Sequence, residues 1–268
     1  MCMIQMDKAL CVGCGLCAKE CYPEYLTMGE QYPVLPVNGC MECGHCVAIC
    51  PNQALQMIGE GYSADAVLPY DESMMQIDAA HLSQFMRFRR SVRHYKPDAV
   101  SHDVLMQVLE EGRYSPTGSN MQSVRYMILE KEKMQFVKLA AEALWQSALA
   151  SGQPPTKVVE KIYRNSCSDI DKLFHGAPAV ILILDTERRS NYSNAYIAAS
   201  RIELMAQSLG LGTCYVGLFL HAMAYNPKIK ELLNVPKGYQ VQAVLTIGYP
   251  EDQFMRTVPR KAITVEWK

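Results

Sequence analysis

Between residues 79 and 88 apolar side chains return at intervals of three and four, with Leu82, Phe85 and Met86 on one side, which predicts an amphipathic helix. A second helix is expected from Ser101, whose hydroxyl suits a first-turn cap, through Val104, Leu105, Val108 and Leu109 to Gly112. Residues 124–129 read as a strand, 134–149 as a helix and 180–184, an uninterrupted apolar run, as a buried strand. The segment 194–209 is apolar or small on nearly every face, with Tyr196, Ala199, Ile202, Met205 and Leu209 among its residues and Gly210 as its C-cap. Such a helix belongs in a core or at a subunit interface. Residues 213–216 and 240–247 read as strands with a short helix over 227–233 between them, and 262–267 as a last strand able to add to a partner's sheet. Helices and strands intermingle without a βαβ rhythm, so the fold class is α+β.

Two stretches break this rhythm. Residues 62–78 have mixed polarity and no sustained period, so they read as a connection, entered through Gly59-Glu60-Gly61. The expected organisation is a small domain over 1–57, a linker over 58–80 and a large domain over 81–268. The small domain is dominated by cysteine. Cys11, Cys14, Cys17 and Cys21 form a C-x2-C-x2-C-x3-C run, and Cys40, Cys43, Cys46 and Cys50 repeat it 29 positions later. Three thiolates spaced by two residues wrap one face of a cubic cluster, while the fourth points away and reaches the cluster of the other repeat. Two [4Fe-4S] clusters follow, one on Cys11, Cys14, Cys17 and Cys50, the other on Cys40, Cys43, Cys46 and Cys21. Gly13, Gly15 and Gly44 let the backbone wrap closely around them.

A disulfide framework suits short secreted chains with even cysteine counts, whereas this chain has 268 residues and 11 cysteines. Structural zinc calls for two ligand pairs separated by a longer loop, which is not this spacing. Residues 1 to 57 resemble a bacterial two-cluster ferredoxin, whose Cys-Pro ending recurs at Cys50-Pro51 and, one residue out of pattern, at Cys21-Tyr22-Pro23.

Composition narrows the partners. Lys plus Arg total 26 and Asp plus Glu total 27, so no basic excess points to nucleic acid or an anionic membrane. Met1-Cys2-Met3-Ile4 lacks a charged, apolar leader pattern, and apolar runs such as 177–184 are too short to span a bilayer. A cytoplasmic protein is expected, from an anaerobe, because such clusters are vulnerable to oxygen.

Arg89-Arg90-Ser91-Val92-Arg93 places three guanidinium groups and a hydroxyl at a helix-to-loop junction. Arginine forks match phosphate oxygens, each charge-assisted bond contributing roughly 1.5 to 3 kcal/mol; alone, such a cluster also reads as a solvated basic face. With Ser115-Pro116-Thr117-Gly118-Ser119-Asn120-Met121-Gln122, then Leu209-Gly210-Leu211-Gly212-Thr213-Cys214-Tyr215-Val216-Gly217, then Gly248-Tyr249-Pro250 and Arg260-Lys261, it occurs in the order of the FMN-dependent nitroreductase family, which residues 81–268 resemble.

That resemblance implies an α+β homodimer with FMN at the interface. It implies that Arg89, Arg90, Ser91, Arg260 and Lys261 hold the FMN phosphate and that Arg93 lies at the flavin N1 and O2 edge. Pro116, Thr117, Ser119 and Asn120 would line the ring or ribityl chain, and the N–H groups of Val216 and Gly217 would face N5. One departure is that Ser123-Val124 follows Gln122, where many members have Pro-Trp.

The glycines of 210–217 do not make a dinucleotide fingerprint, because the third comes two residues late and the order is helix then strand. Cys214 reads as a packed small residue, and no histidine, His45 included, receives a role. Clusters move single electrons, whereas a flavin accepts singles and delivers a pair. The expected function is an iron–sulfur flavoprotein oxidoreductase that takes electrons from a low-potential donor protein through the clusters to FMN and on to a small organic acceptor of the nitro or quinone class. Two alternatives stand beside it: NAD(P)H as the donor at FMN with the clusters as exit, and an electron carrier with no substrate.

Overall fold

The computed structural model describes residues 3–63, 66–187 and 193–268. Met1 and Cys2, on which the leader reading partly rests, and residues 64 and 65 of the expected linker lie outside the described residues. The chain forms two compact units, one of residues up to Gln76 together with Ser119–Met121, the other of Ile77–Gly118 and Gln122–Lys268.

In the first unit the cysteine repeat becomes a structural repeat. Helix α1 (Leu16–Glu20) and helix α2 (His45–Ala48) each start directly after a left-handed glycine, Gly15 at φ 77° and Gly44 at φ 71°. A side chain there would force the backbone out of this conformation, and the turn that sends Cys17 and Cys46 inward would be lost. Strand β1 (Ile4–Met6) pairs antiparallel with β4 (Leu55–Met57), Ile4 opposite Met57, and so closes the unit; β2 (Thr27–Met28) and β3 (Pro33–Val34) form a second small ladder. Among its described residues the buried apolar cluster is small, made of Ile4, Cys17, Leu26, Cys46 and Leu55. So small an apolar core supplies little stability alone, and bound metal is the usual supplement. The stretch after β4 is not uniformly irregular. Asp71 accepts the Ser73 N–H at 2.9 Å and caps a short helix, α3 (Glu72–Met75).

The second unit is built on one antiparallel four-stranded sheet with the order β5 (Arg125–Leu129), β6 (Ala179–Thr186), β8 (Tyr239–Gly248), β7 (Gly212–Tyr215). Helices cover both faces. Val180, Leu182 and Leu184 of β6 pack with α6 (Lys133–Ala150), α7 (Lys157–Ser166), α9 (Gly217–Tyr225) and α10 (Lys228–Leu232). Ala179, Ile181 and Ile183 pack with α5 (His102–Arg113) and α8 (Asn194–Ser208). Double coverage explains why β6 reads as a continuous apolar run despite its antiparallel partners; burying each such side chain contributes about 1.5 to 3 kcal/mol. Helix α4 (Ala79–Phe88) is capped by Asp78 and α5 by Ser101, whose Oγ accepts the Val104 N–H at 3.3 Å.

Two helices were not expected and one expected strand is absent. Helix α7 is the first; Thr156, after Pro154-Pro155, caps it through the Val159 N–H at 3.3 Å. Helix α9 was not expected because it is apolar around its circumference, which gives no amphipathic period. Residues 262–267 form no strand, and everything from Glu251 onward is exposed, Trp267 to 92%. Their alternation is strand-like, but a strand needs a ladder partner, and none of β5, β6, β7 and β8 pairs with them. Helix α8 buries Ala195, Ala198, Ala199, Ile202 and Ala206, while Tyr196 and Ile197 on its other side stay exposed.

Candidate functional site

The eight cysteines of the repeat line two cavities in the first unit. One is bounded by Cys11, Cys14, Cys17 and Cys50, the other by Cys21, Cys40, Cys43 and Cys46. The fourth cysteine of each run therefore lines the cavity of the other run. Among the described residues every cysteine is a free thiol and no three ligating side chains are grouped for a single metal ion. The sulfurs instead surround a space, which is what a cluster with iron at four corners requires.

The backbone is arranged to donate to these sulfurs. Cys21 Sγ accepts the Leu26 N–H at 3.4 Å, Cys40 Sγ the Glu42 N–H at 3.4 Å and Cys50 Sγ the Ala54 N–H at 3.3 Å. Burial pushes the Cys46 thiol up to about 11 and raises that of Cys17. Holding buried thiolates at neutral pH calls for compensating cationic charge, which iron provides. The cavities, the ligand count and the N–H donors fit two [4Fe-4S] clusters.

In the second unit the basic run lies along the edge of the sheet. Ser91 forms a parallel bridge with Thr213, and the Val92 N–H donates to the Thr213 carbonyl at 2.9 Å. Tyr95 pins the run from below, its hydroxyl donating to the Val92 carbonyl at 2.9 Å and meeting Thr246 Oγ1 at 2.7 Å. Gly212 is obligatory here for a steric reason, since a Cβ would stand 2.4 Å from Val92 Cγ2.

Glu203, a residue the sequence reading passed over, sits at this edge. It is 6% exposed, accepts from Arg89 Nη1 at 3.1 Å and from Thr213 Oγ1 at 2.9 Å. Arg89, 31% exposed, thus has one nitrogen committed to a buried carboxylate, while Arg90 and Ser91 are half-buried and Arg93 is exposed. Burial first, and the Glu203 charge second, hold the Tyr215 phenol well above its usual range. Cys214 is buried, and that burial raises its thiol, in keeping with a packed residue.

The loop over 115–122 is anchored at both flanks. The Gly118 N–H donates to Asn194 Oδ1 at 3.3 Å and the Gln122 N–H to Thr117 Oγ1 at 3.0 Å. Asn194 in turn donates to buried Asp185 at 2.9 Å, and Ser123 donates to the same carboxylate at 2.5 Å. Ser119, Asn120 and Gln122 all take left-handed backbone, at φ 51°, 51° and 46°. The structure groups Ser119 and Asn120 with the first unit, where Asn120 Nδ2 donates to the carbonyls of Met41 at 3.2 Å and Glu42 at 2.8 Å. Its amide is therefore engaged at the cysteine turn.

The Val216 N–H donates to the Val244 carbonyl at 2.9 Å, and the first turn of α9, with its orphan donors, begins at Gly217. Arg260 and Lys261 stand on the exposed terminal segment. No helix among the described residues is long and apolar enough to cross a membrane.

This α+β sheet with a basic edge, joined to a dicluster cysteine unit, defines an oxidoreductase class. Residues 86–249 match the sequence profile of the nitroreductase family, and residues 3–51 that of the 4Fe-4S dicluster domain. The chain belongs to the nitroreductase family. An NADH dehydrogenase of Thermus thermophilus is 20% identical over 181 residues, covering 62% of this chain and 84% of that protein. A component of an ion-translocating oxidoreductase complex of Methanosarcina acetivorans is 44% identical over 47 residues, 18% of each chain. Among solved structures, a nitroreductase with bound FMN from Bacteroides fragilis superposes with a TM-score of 0.57 at 20% identity, covering 69% of this chain and 97% of that one.

Proposed function

We propose that the chain is an iron–sulfur flavoprotein oxidoreductase in which electrons from a low-potential donor protein pass through two [4Fe-4S] clusters to FMN and reduce a small organic acceptor of the nitro or quinone class. The observation that carries this reading is the presence in one chain of two four-cysteine cavities and the basic sheet edge of a nitroreductase. FMN, when bound, supplies the conversion between single electrons and an electron pair or hydride.

The chain's own groups divide the remaining work. Arg90 and Ser91, with the uncommitted nitrogens of Arg89, offer donors for a phosphate, and Arg260 and Lys261 add positive charge from the terminal segment of either copy in a homodimer. Arg93 supplies a cation for the electron-rich edge of the reduced ring. Pro116 and Thr117 shape the loop beside it, and Gly217 offers an N–H. Cys11, Cys14, Cys17 and Cys50 hold one cluster; Cys21, Cys40, Cys43 and Cys46 hold the other. The domain assignment 1–57, 58–80 and 81–268 and a cytoplasmic, anaerobic setting belong to the same reading.

The test is anaerobic purification followed by iron, sulfide and flavin analysis. The reading expects about eight irons and one FMN per chain; clusters without flavin would sink it. A second reading, with NAD(P)H reducing FMN and the clusters carrying electrons out, is favoured by one observation, the likeness to an NADH dehydrogenase.

A further inference from the structure

The two cluster cavities are made by a repeat, yet they are not equivalent, and the difference centres on Asn120. Within the first unit its Nδ2 donates to the Met41 carbonyl at 3.2 Å and the Glu42 carbonyl at 2.8 Å. The Met41 carbonyl and the Glu42 N–H are the two ends of one peptide group. That N–H donates to Cys40 Sγ at 3.4 Å. An amide, a peptide and a ligand sulfur are thus connected in series, and each donor polarises the next.

We propose that Asn120 is a positioning residue that raises the reduction potential of the cluster on Cys21, Cys40, Cys43 and Cys46 above that of its neighbour. The proposal rests on the cluster-bearing reading above. A hydrogen bond to a ligand sulfur stabilises the more negative, reduced cluster, and donation to the Met41 oxygen strengthens that bond. The turn also needs holding, because Glu42 takes left-handed backbone at φ 54°, which is unfavourable for a residue with a Cβ. Asn120 grips its two carbonyls, and the Tyr62 hydroxyl donates to its carboxylate at 2.9 Å.

The first repeat has no such device among the described residues. Glu42 corresponds there to Gly13, at φ 67°, and Cys11 Sγ, the counterpart of Cys40, accepts no hydrogen bond from a described residue. The other exchanged pair is balanced, since Cys21 and Cys50 each accept one N–H. Electrons delivered to either cluster therefore collect on the one beside Asn120. Each transfer moves one electron with no bond made or broken.

The experiment is a potentiometric titration of the anaerobic full chain with dithionite, followed by electron paramagnetic resonance. Wild type is expected to show two separate one-electron waves. N120G, which keeps the left-handed backbone without the amide, and N120A should both move the higher wave to more negative potential and leave the lower one in place. N120D, with a carboxylate in place of the donor, should move it further. A single unsplit wave in wild type, or variants whose waves stay put or move together, would overturn the proposal; a wild-type protein without iron would overturn the cluster reading itself.

Discussion

Arg89 Nη1 donates to Glu203 Oε1 at 3.1 Å, joining the residue that follows α4 to the middle of α8 across 114 positions of sequence. The pair is lopsided, with the carboxylate buried and the guanidinium partly in water. Losing Arg89 strands a buried charge, whereas losing Glu203 frees a cation that water can solvate. R89A should therefore lower stability by about 3 kcal/mol, and E203Q by clearly less. Urea midpoints of the two variants measure the difference, and equal losses would mean that the pair is not the controlling contact.

Gly212 leaves no room for a side chain beside Val92. G212A should cost about 1 to 3 kcal/mol by overpacking, and G212A combined with V92A should regain part of it. A thermal shift series checks both, and no regain in the double variant would point away from this contact.

His175 gives the stability a pH dependence. Burial first, then Arg93 and His94, lowers it from 6.5 to about 4. The unfolded chain takes up a proton near pH 6.5 that the folded chain refuses until about 4, so this contribution is complete above pH 6.5 and is lost as pH falls toward 4. His175 also holds left-handed backbone at φ 60°, a conformation asparagine tolerates. H175N should therefore flatten the loss between pH 6.5 and 4, measured as urea midpoints against pH. An unchanged slope would assign the effect to other groups.

The exchanged ligands make a pairwise prediction. Because Cys11 and Cys50 line one cavity and Cys21 the other, C11A/C50A should keep one cluster, about four irons, while C11A/C21A should lose both. Equal iron in the two double variants would contradict the exchange.

Much of this was legible locally. Ligand spacing is set by a few bonds, so the cysteine sets and the turns at Gly15 and Gly44 could be read directly, as could the cap at Ser101; the cap at Asp78 was not read. What escaped were pairings that only folding brings together: Glu203 with Arg89, Asn120 with a turn 79 positions away, and Val216 with Val244. Helix α9 escaped for another reason, because its residues are apolar on nearly every face, which erases the amphipathic period. The strand expected over 262–267 had a suitable alternation but pairs with no strand of the four-stranded sheet.

The most direct test of the account is anaerobic rapid mixing of the intact protein with a reduced low-potential one-electron donor and, separately, with NADH and NADPH, following flavin and cluster absorbance. The account predicts that the one-electron donor reduces the clusters and then FMN, and that C11A/C40A abolishes FMN reduction by that route. Rapid FMN reduction by a nicotinamide in C11A/C40A, with none from the one-electron donor in wild type, would contradict it and make the clusters the exit.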